Sequence, residues 1–270
     1  VNYAGQGAPI ESASVLGNVV PESRNVVTVS VVSHGHDRYL PLLLDGLART
    51  GGGAIRRISL VHNLKPSLLL ANGNHSWPFE ITETVNDAPL GFGANHNRSF
   101  QTVDTPFFCV LNPDIAFAAD TRIWESLVTA AGQPRVGCAY PELRNLDGTR
   151  QDNARSVPTP LALVRRRVFH HDELRVDWAS AAFWMVKSQV FRDLDGFDER
   201  FHMYCEDVDF CLRMQLAGWQ LRGAGDVHAI HDAHRSSHLN MRYLGWHLAS
   251  LLRLWAGAPL RRFVMKSGSV

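Results

Sequence analysis

Val26-Val27-Thr28-Val29-Ser30-Val31-Val32 is the stretch from which the rest of the chain can be read. β-Branched residues dominate it, and such side chains are stiff at χ1 and pack well on a pleated surface. A charge-free run of this kind suits a strand covered on both faces, the usual environment of a parallel sheet between helices. Downstream, the pattern predicts a helix over 40–49, a strand over 55–61 and a short strand over 79–85. Gly91-Phe92-Gly93-Ala94-Asn95-His96-Asn97 then reads as a flexible turn running into a helix to about residue 103. Residues 106–111 form a central strand that stops at Asn112-Pro113-Asp114. Strands alternating with helices in this way specify an α/β domain with a largely parallel sheet.

Upstream, residues 1–25 are rich in Gly, Ala, Ser, Pro and Asn without apolar periodicity, and read as a flexible arm. They lack the basic and apolar regions of a secretory signal. The 270 residues are 45% apolar and 20% charged, which suits one large domain with a modest appendage and excludes wholesale disorder. A formal net charge of +1 provides no global field for nucleic acid. Cys109, Cys138, Cys205 and Cys211 form neither a C-x-x-C pair nor a disulfide framework, and read as reduced thiols of a cytoplasmic protein. No apolar run reaches the roughly eighteen residues that a membrane span needs.

The second half is less regular. A helix is expected over 121–131, a strand over 136–140, a long polar connection over 141–160 and an apolar strand over 179–186. An amphipathic helix follows over 206–217, ending at Gly218. His228, His231, His234 and His238 read as a histidine-rich loop, and residues 239–256 carry Leu and Trp at helical spacing. The expected division is an arm over 1–25, a main domain over 26–237 and a helical extension over 238–270.

Three constellations could carry chemistry. Asn112-Pro113-Asp114 lies at the carboxyl end of a strand, where ligands collect in open α/β sheets, and a carboxylate there suits Mg²⁺ or Mn²⁺ with phosphate oxygens. Asn-Pro-Asp is also good turn chemistry in any protein. Tyr204-Cys205-Glu206-Asp207-Val208-Asp209 crowds acids at a helix start. The helix dipole and N-capping account for one or two of them. Repulsion and partial burial would raise the proton affinity of at least one, as a general base requires. In the histidine loop, one imidazole could complete a metal site begun by a carboxylate. Gly91-Phe92-Gly93 is a weak signal by itself, and no P-loop, nucleophile elbow or zinc motif is present.

Order and spacing join these pieces. The chain resembles the inverting family-2 glycosyltransferases of the GT-A fold, most closely their rhamnosyltransferase-like branch. The opening strand, the segment from Asn86 to Asn97, Leu111-Asn112-Pro113-Asp114 and the long run from Gly196 through Glu206-Asp207-Val208-Asp209 to Arg213 carry the resemblance, which covers roughly residues 26–237. It implies a mixed, mostly parallel sheet flanked by helices. It also implies a divalent cation (Mg²⁺ or Mn²⁺) held by Asp114 and His231, and a nucleotide-diphosphate sugar donor beside Ser33, Asn63, Gly93, Asn97, Asn112 and Asp114. Asp207 matches the family's catalytic base, with Glu206 beside it. Trp178, Ser180, Ala181 and Arg155 match stretches near the donor sugar and the acceptor. Here Ala181 replaces a glycine of the family pattern, and Ser33-His34-Gly35 and Val61-His62-Asn63-Leu64 also depart from it.

The implied reaction moves a sugar, rhamnose from dTDP-rhamnose, onto a bacterial surface polysaccharide or lipid-linked glycan. The alternatives are a UDP-hexose, UDP-N-acetylhexosamine or UDP-galactofuranose donor, or a catalytically silent glycan-binding module. After Asp232 the chain has no acid, while Arg235, Arg242, Arg253, Arg261, Arg262 and Lys266 follow among Leu and Trp. That pattern reads either as a basic amphipathic helix contacting the inner face of the cytoplasmic membrane or as a helix packed on its own core.

Overall fold

The computed structural model describes residues 24–67, 69–70, 76–118, 122–169, 175–232 and 241–267. Nearly all of the expected arm, together with Arg235, His234 and His238, lies outside the described residues. The chain opens with β1 (Val27–Ser33), α1 (Leu40–Thr50), β2 (Ile55–His62), β3 (Glu80–Val85), α2 (Phe92–Phe100) and β4 (Phe107–Leu111). There follow β5 (Ile115–Ala116), α3 (Ile123–Gly132), β6 (Val136–Arg144), β7 (Ala154–Arg155) and α4 (Pro160–Phe169). The remainder comprises β8 (Trp178–Ala179), β9 (Phe183–Lys187), α5 (Ser188–Asp193), α6 (Glu206–Leu216), β10 (Gln220–His231), α7 (Met241–Ala256) and α8 (Ala258–Ser267).

β1 has the double-sided burial that its composition implies. Val27, Val29 and Val31 enter a core shared with Leu43, Leu44 and Leu47 of α1 and Trp124 and Leu127 of α3. The alternate residues Thr28 and Ser30 are also buried, and their hydroxyls pair with Thr105 Oγ1 at 2.8 Å and His96 Nδ1 at 2.7 Å. Burial lowers the His96 pKa to about 3, so this imidazole is a neutral core group. A second core lies on the opposite face, where Phe108, Trp184, Phe191, Phe197 and Phe210 meet.

The main sheet has the order β3-β2-β1-β4-β9-β6-β10-β5. β1, β2, β3 and β4 run parallel, β9 runs against both β4 and β6, and β10 is parallel to β6. The sheet is therefore mixed and mostly parallel, with helices on both faces.

Several elements differ from the sequence reading. The polar connection over 141–160 is partly strand: β6 continues to Arg144, and Ala154 and Arg155 of β7 pair with Ala179 and Trp178 of β8. The strand expected over 179–186 is interrupted, with β8 and β9 separated by a turn at Ser180-Ala181-Ala182. His228 and His231 do not lie in a loop but in β10, whose alternate residues Val227 and Ala229 are buried. Polar side chains on the exposed face hid this period-2 pattern. The C-terminal helical stretch is two helices, and Leu254, Leu260 and Phe263 pack against Phe201, Val208 and Leu212.

Candidate active site

Parallel strands bring their carboxyl ends to one edge of a sheet, and an antiparallel neighbour begins where they end. Ser33, Asn63, Asn86 and Asn112 therefore share an edge with the residues that enter β9. Leu111 pairs with Phe183, and the Asn112 N–H donates to the Ala182 carbonyl at 2.9 Å. β10 finishes at the same edge, His231 pairing with Ile115 while the Asp232 N–H donates to the Asp114 carbonyl at 3.1 Å.

Asp114 and His231, distant in sequence, thus come together with Nε2 to Oδ1 at 3.4 Å. Asp114 Oδ1 is buried without a hydrogen bond. The other nitrogen of His231, Nδ1, lies 2.9 Å from Gln151 Oε1, and the Gln151 amide donates to the His231 carbonyl at 2.8 Å and to Asn145 Oδ1 at 2.8 Å. With Nδ1–H donated to Gln151, Nε2 presents its lone pair toward the carboxylate, the arrangement that orients a metal-binding imidazole. His36 is close as well: burial lowers its pKa while the Asp114 charge opposes that shift. Among the described residues no group of three or more His, Cys, Asp or Glu forms a closed metal site. An orphaned hard oxygen beside an oriented imidazole nevertheless fits a divalent cation that draws its remaining ligands from phosphate and water.

The second acidic centre begins α6. Tyr204 (φ 70°) and Cys205 (φ 65°) are both left-handed, a conformation that costs a non-glycine residue about 1–2 kcal/mol. Two such residues in succession turn the chain sharply enough to present Glu206 and Asp207 at the helix start. Phe201, Cys205, Val208 and Leu212 bury the turn from behind. Glu206 is 5% exposed and its Oε2 has no hydrogen-bond partner. Burial, and then the Asp207 charge, push its pKa well above the ordinary carboxylate value. Burial also raises Asp207, to about 6, against the opposing pull of the Val208 and Ala181 N–H groups and of Arg155. The Val208 N–H donates to Asp207 Oδ1 at 2.8 Å. The Ala181 N–H also favours the Asp207 charge, and the next residue, Ala182, is bonded to Asn112 at the start of the Asp114 turn.

Trp178, Ser180 and Arg155 lie near this junction. Arg155 lies over the Trp178 ring at 5.9 Å, Trp178 Nε1 donates to the Ser156 carbonyl at 2.9 Å, and the Ser180 N–H donates to the Asn153 carbonyl at 2.7 Å. Ser33 is buried at the end of β1, and its hydroxyl accepts from the His36 N–H at 3.1 Å.

Three residues expected beside the donor make hydrogen bonds or close contacts within the protein. Asn97 donates to the Phe197 carbonyl at 2.8 Å and accepts from the Phe197 N–H at 2.9 Å, which locks the Gly196 turn. Gly196 has φ +64°, and a Cβ there would stand 2.3 Å from Asn97 Oδ1. A Cβ on Gly93 would stand 2.7 Å from the Phe197 Cβ, so this glycine serves close packing. Asn63 accepts from Asn86 Nδ2 at 2.9 Å and from the Leu90 N–H at 2.7 Å, and donates to the Leu90 carbonyl at 2.9 Å. Asn86 in turn donates to Asn95 Oδ1 at 2.6 Å. This buried amide network fixes the loop over 86–91; only the abundance of Asn in that segment hinted at it. Gln151, which orients His231, had no local signal at all.

No protein-family model matches the chain. It is 28% identical over 255 residues to Rhamnosyltransferase WbbL of Escherichia coli (strain K12), covering 86% of this chain and 93% of that relative. It is also 28% identical over 214 residues to the N-acetylglucosaminyl-diphospho-decaprenol L-rhamnosyltransferase of Mycobacterium tuberculosis (strain CDC 1551 / Oshkosh), covering 64% of this chain and 68% of that one. Among solved structures, the mannosyltransferase PcManGT of Pyrobaculum calidifontis, in complex with GDP-Man and Mn²⁺, superposes with a TM-score of 0.56 at 14% identity over 85% of this chain. S. aureus TarS superposes with a TM-score of 0.55 at 13% identity over 77% of this chain. The chain spans 65% of the length of the first of these structures and 36% of the second. In sequence the chain is similar to rhamnosyltransferases of the family-2 type, and its fold is that of the GT-A glycosyltransferase structures.

Proposed function

We propose that the protein is an inverting glycosyltransferase that moves rhamnose from dTDP-rhamnose onto a hydroxyl of a growing bacterial surface polysaccharide or lipid-linked glycan. The observation that carries this reading is the join at Ala181-Ala182, which ties a desolvated carboxylate, Asp207, to the strand end bearing Asp114 and His231. Both relatives are named for rhamnosyl transfer, one of them onto a diphospho-decaprenol carrier. Those names support the donor sugar and the class of acceptor. A nucleotide-sugar donor places the reaction in the cytoplasm.

Asp114 and His231 would hold Mg²⁺ or Mn²⁺, and when bound there the cation neutralises charge gathering on the diphosphate as the glycosidic bond breaks. Asp207 accepts the proton of the acceptor hydroxyl as that oxygen attacks the anomeric carbon opposite the leaving group, which inverts its configuration. Glu206, protonated beside it, leaves the pair with a single negative charge to place, and the Ala181 and Val208 N–H groups hold that charge on the Asp207 side. Trp178 and Arg155 form the acceptor wall. Incubation with dTDP-[¹³C]rhamnose, Mn²⁺ and a synthetic diphospho-lipid N-acetylglucosamine acceptor, followed by NMR of the product, tests the reading. An inverted rhamnoside is expected. A retained configuration, or no transfer from any sugar nucleotide in a panel that includes the UDP sugars, sinks it.

A further inference from the structure

We propose that the outward face of α7 and α8 is a docking surface for an anionic lipid bilayer. On α7 the inward positions are Ser250 and Leu254, both buried. The opposite side carries Met241, Leu244, Leu248 and Leu252 at the three- and four-residue spacing of one helical face, 81%, 54%, 55% and 55% exposed. Exposed Gly245 and Ala249 lie between them, so this stripe contains no charge. α8 runs beside it with Arg261, Arg262, Met265 and Lys266 all exposed. A contiguous apolar stripe is rarely left to water without a partner.

Charge identifies the partner. No acid follows Asp232, so the charged residues of α7 and α8, Arg242, Arg253, Arg261, Arg262 and Lys266, are all basic. Two such faces brought together as copies of the chain would set like charges against each other. An anionic bilayer instead accepts the apolar stripe at its acyl boundary and the basic rim among its headgroups. No described helix is long and apolar enough to cross a membrane, so α7 lies along the surface.

The surface is joined to the cleft. Trp246 packs on His202 with ring centroids 4.6 Å apart, His247 lies 4.9 Å from Tyr204, and the Ser250 hydroxyl donates to the Met203 carbonyl at 2.8 Å. α7 therefore braces from outside the left-handed turn that presents Glu206 and Asp207. Burial, and then the charges of Arg242 and His202, lower the proton affinity of His34, just past the end of β1. The docking surface stands without the proposed reaction; joined to it, it delivers a lipid-carried acceptor to the opening.

Flotation of the full chain with vesicles tests this without measuring activity. The protein should float with phosphatidylglycerol–phosphatidylcholine vesicles at about 0.1 M salt and remain below with pure phosphatidylcholine. Leu248→Glu/Leu252→Glu should abolish flotation, and Arg261→Glu/Arg262→Glu should lower partitioning about tenfold or more. All four side chains are exposed, so unchanged circular dichroism and melting temperature are expected in both variants. Wild-type protein that stays below with every vesicle overturns the proposal. So does a concentration-dependent dimer that Leu248→Glu/Leu252→Glu dissolves, since the occupant would then be a second copy.

Discussion

Asp114 and Asp207 lie at the same edge of the sheet, yet their surroundings differ. Asp114 follows a strand, half-buried, with one carboxylate oxygen lacking any hydrogen bond and an oriented imidazole beside it. Asp207 opens a helix, held by backbone N–H groups beside a buried carboxyl, Glu206, whose proton affinity is raised as well. The first environment leaves lone pairs for a cation; in the second, desolvation beside buried Glu206 raises proton affinity toward neutrality. Residue type is common to both, so local hydration and hydrogen bonding divide the work.

The strongest way to break this contrast is Asp207→Asn. Steady-state kinetics should show turnover reduced by about 10²–10⁴ with donor affinity nearly unchanged. In the wild type the rate should fall about tenfold per pH unit below roughly pH 6, because the ionised base is lost as pH drops through its raised pKa. A normal rate in the variant removes Asp207 from the chemistry.

The cation side should respond differently. Gln151→Ala frees the His231 ring, and calorimetric Mn²⁺ affinity in the presence of nucleotide diphosphate should weaken about 10–100-fold. His231→Ala should weaken it at least as much, and the acidic limb of the pH profile should stay in place in both. A displaced limb would mean that the two centres are one titrating unit.

Glu206→Gln sharpens the comparison through stability. A carboxyl whose folded pKa is raised favours folding while protonated and loses that contribution as pH climbs above its unfolded value toward the folded one. At pH 7 the amide variant should therefore melt several degrees higher than wild type, and the gain should vanish near pH 4. Asn97→Ala should have the smallest effect on catalysis: thermal denaturation should register a loss of about 1–3 kcal/mol from the unsatisfied Phe197 backbone, with the donor KM unchanged.

Local signals made the frame legible. The β-branched run named β1, the Asn-Pro-Asp stop marked the end of β4, and the acidic cluster marked the start of α6. Pairings across the chain left no such trace. Gln151 meets His231 only because β6 and β10 are neighbours, and the Asn63, Asn86 and Asn95 network needs three strand and loop ends in place. Asn97 and Gly93 sit within a motif-like segment, and their contacts with Gly196 and Phe197, far along the chain, left no trace in it. Tyr204 and Cys205 adopt a conformation that side-chain-bearing residues seldom take, so nothing in their identity announced the turn.

β9 runs backwards between β4 and β6, with Phe183 and Met185 facing one core and Trp184 and Val186 the other. A slip of one residue would exchange large rings between two filled interiors, and a slip of two would carry Ala182 about 7 Å along the strand, away from Asn112. Alignment of the proposed reacting groups is thus guarded by bulky hydrocarbon well behind them, and mutations that loosen those interiors should blunt catalysis before they unfold the protein.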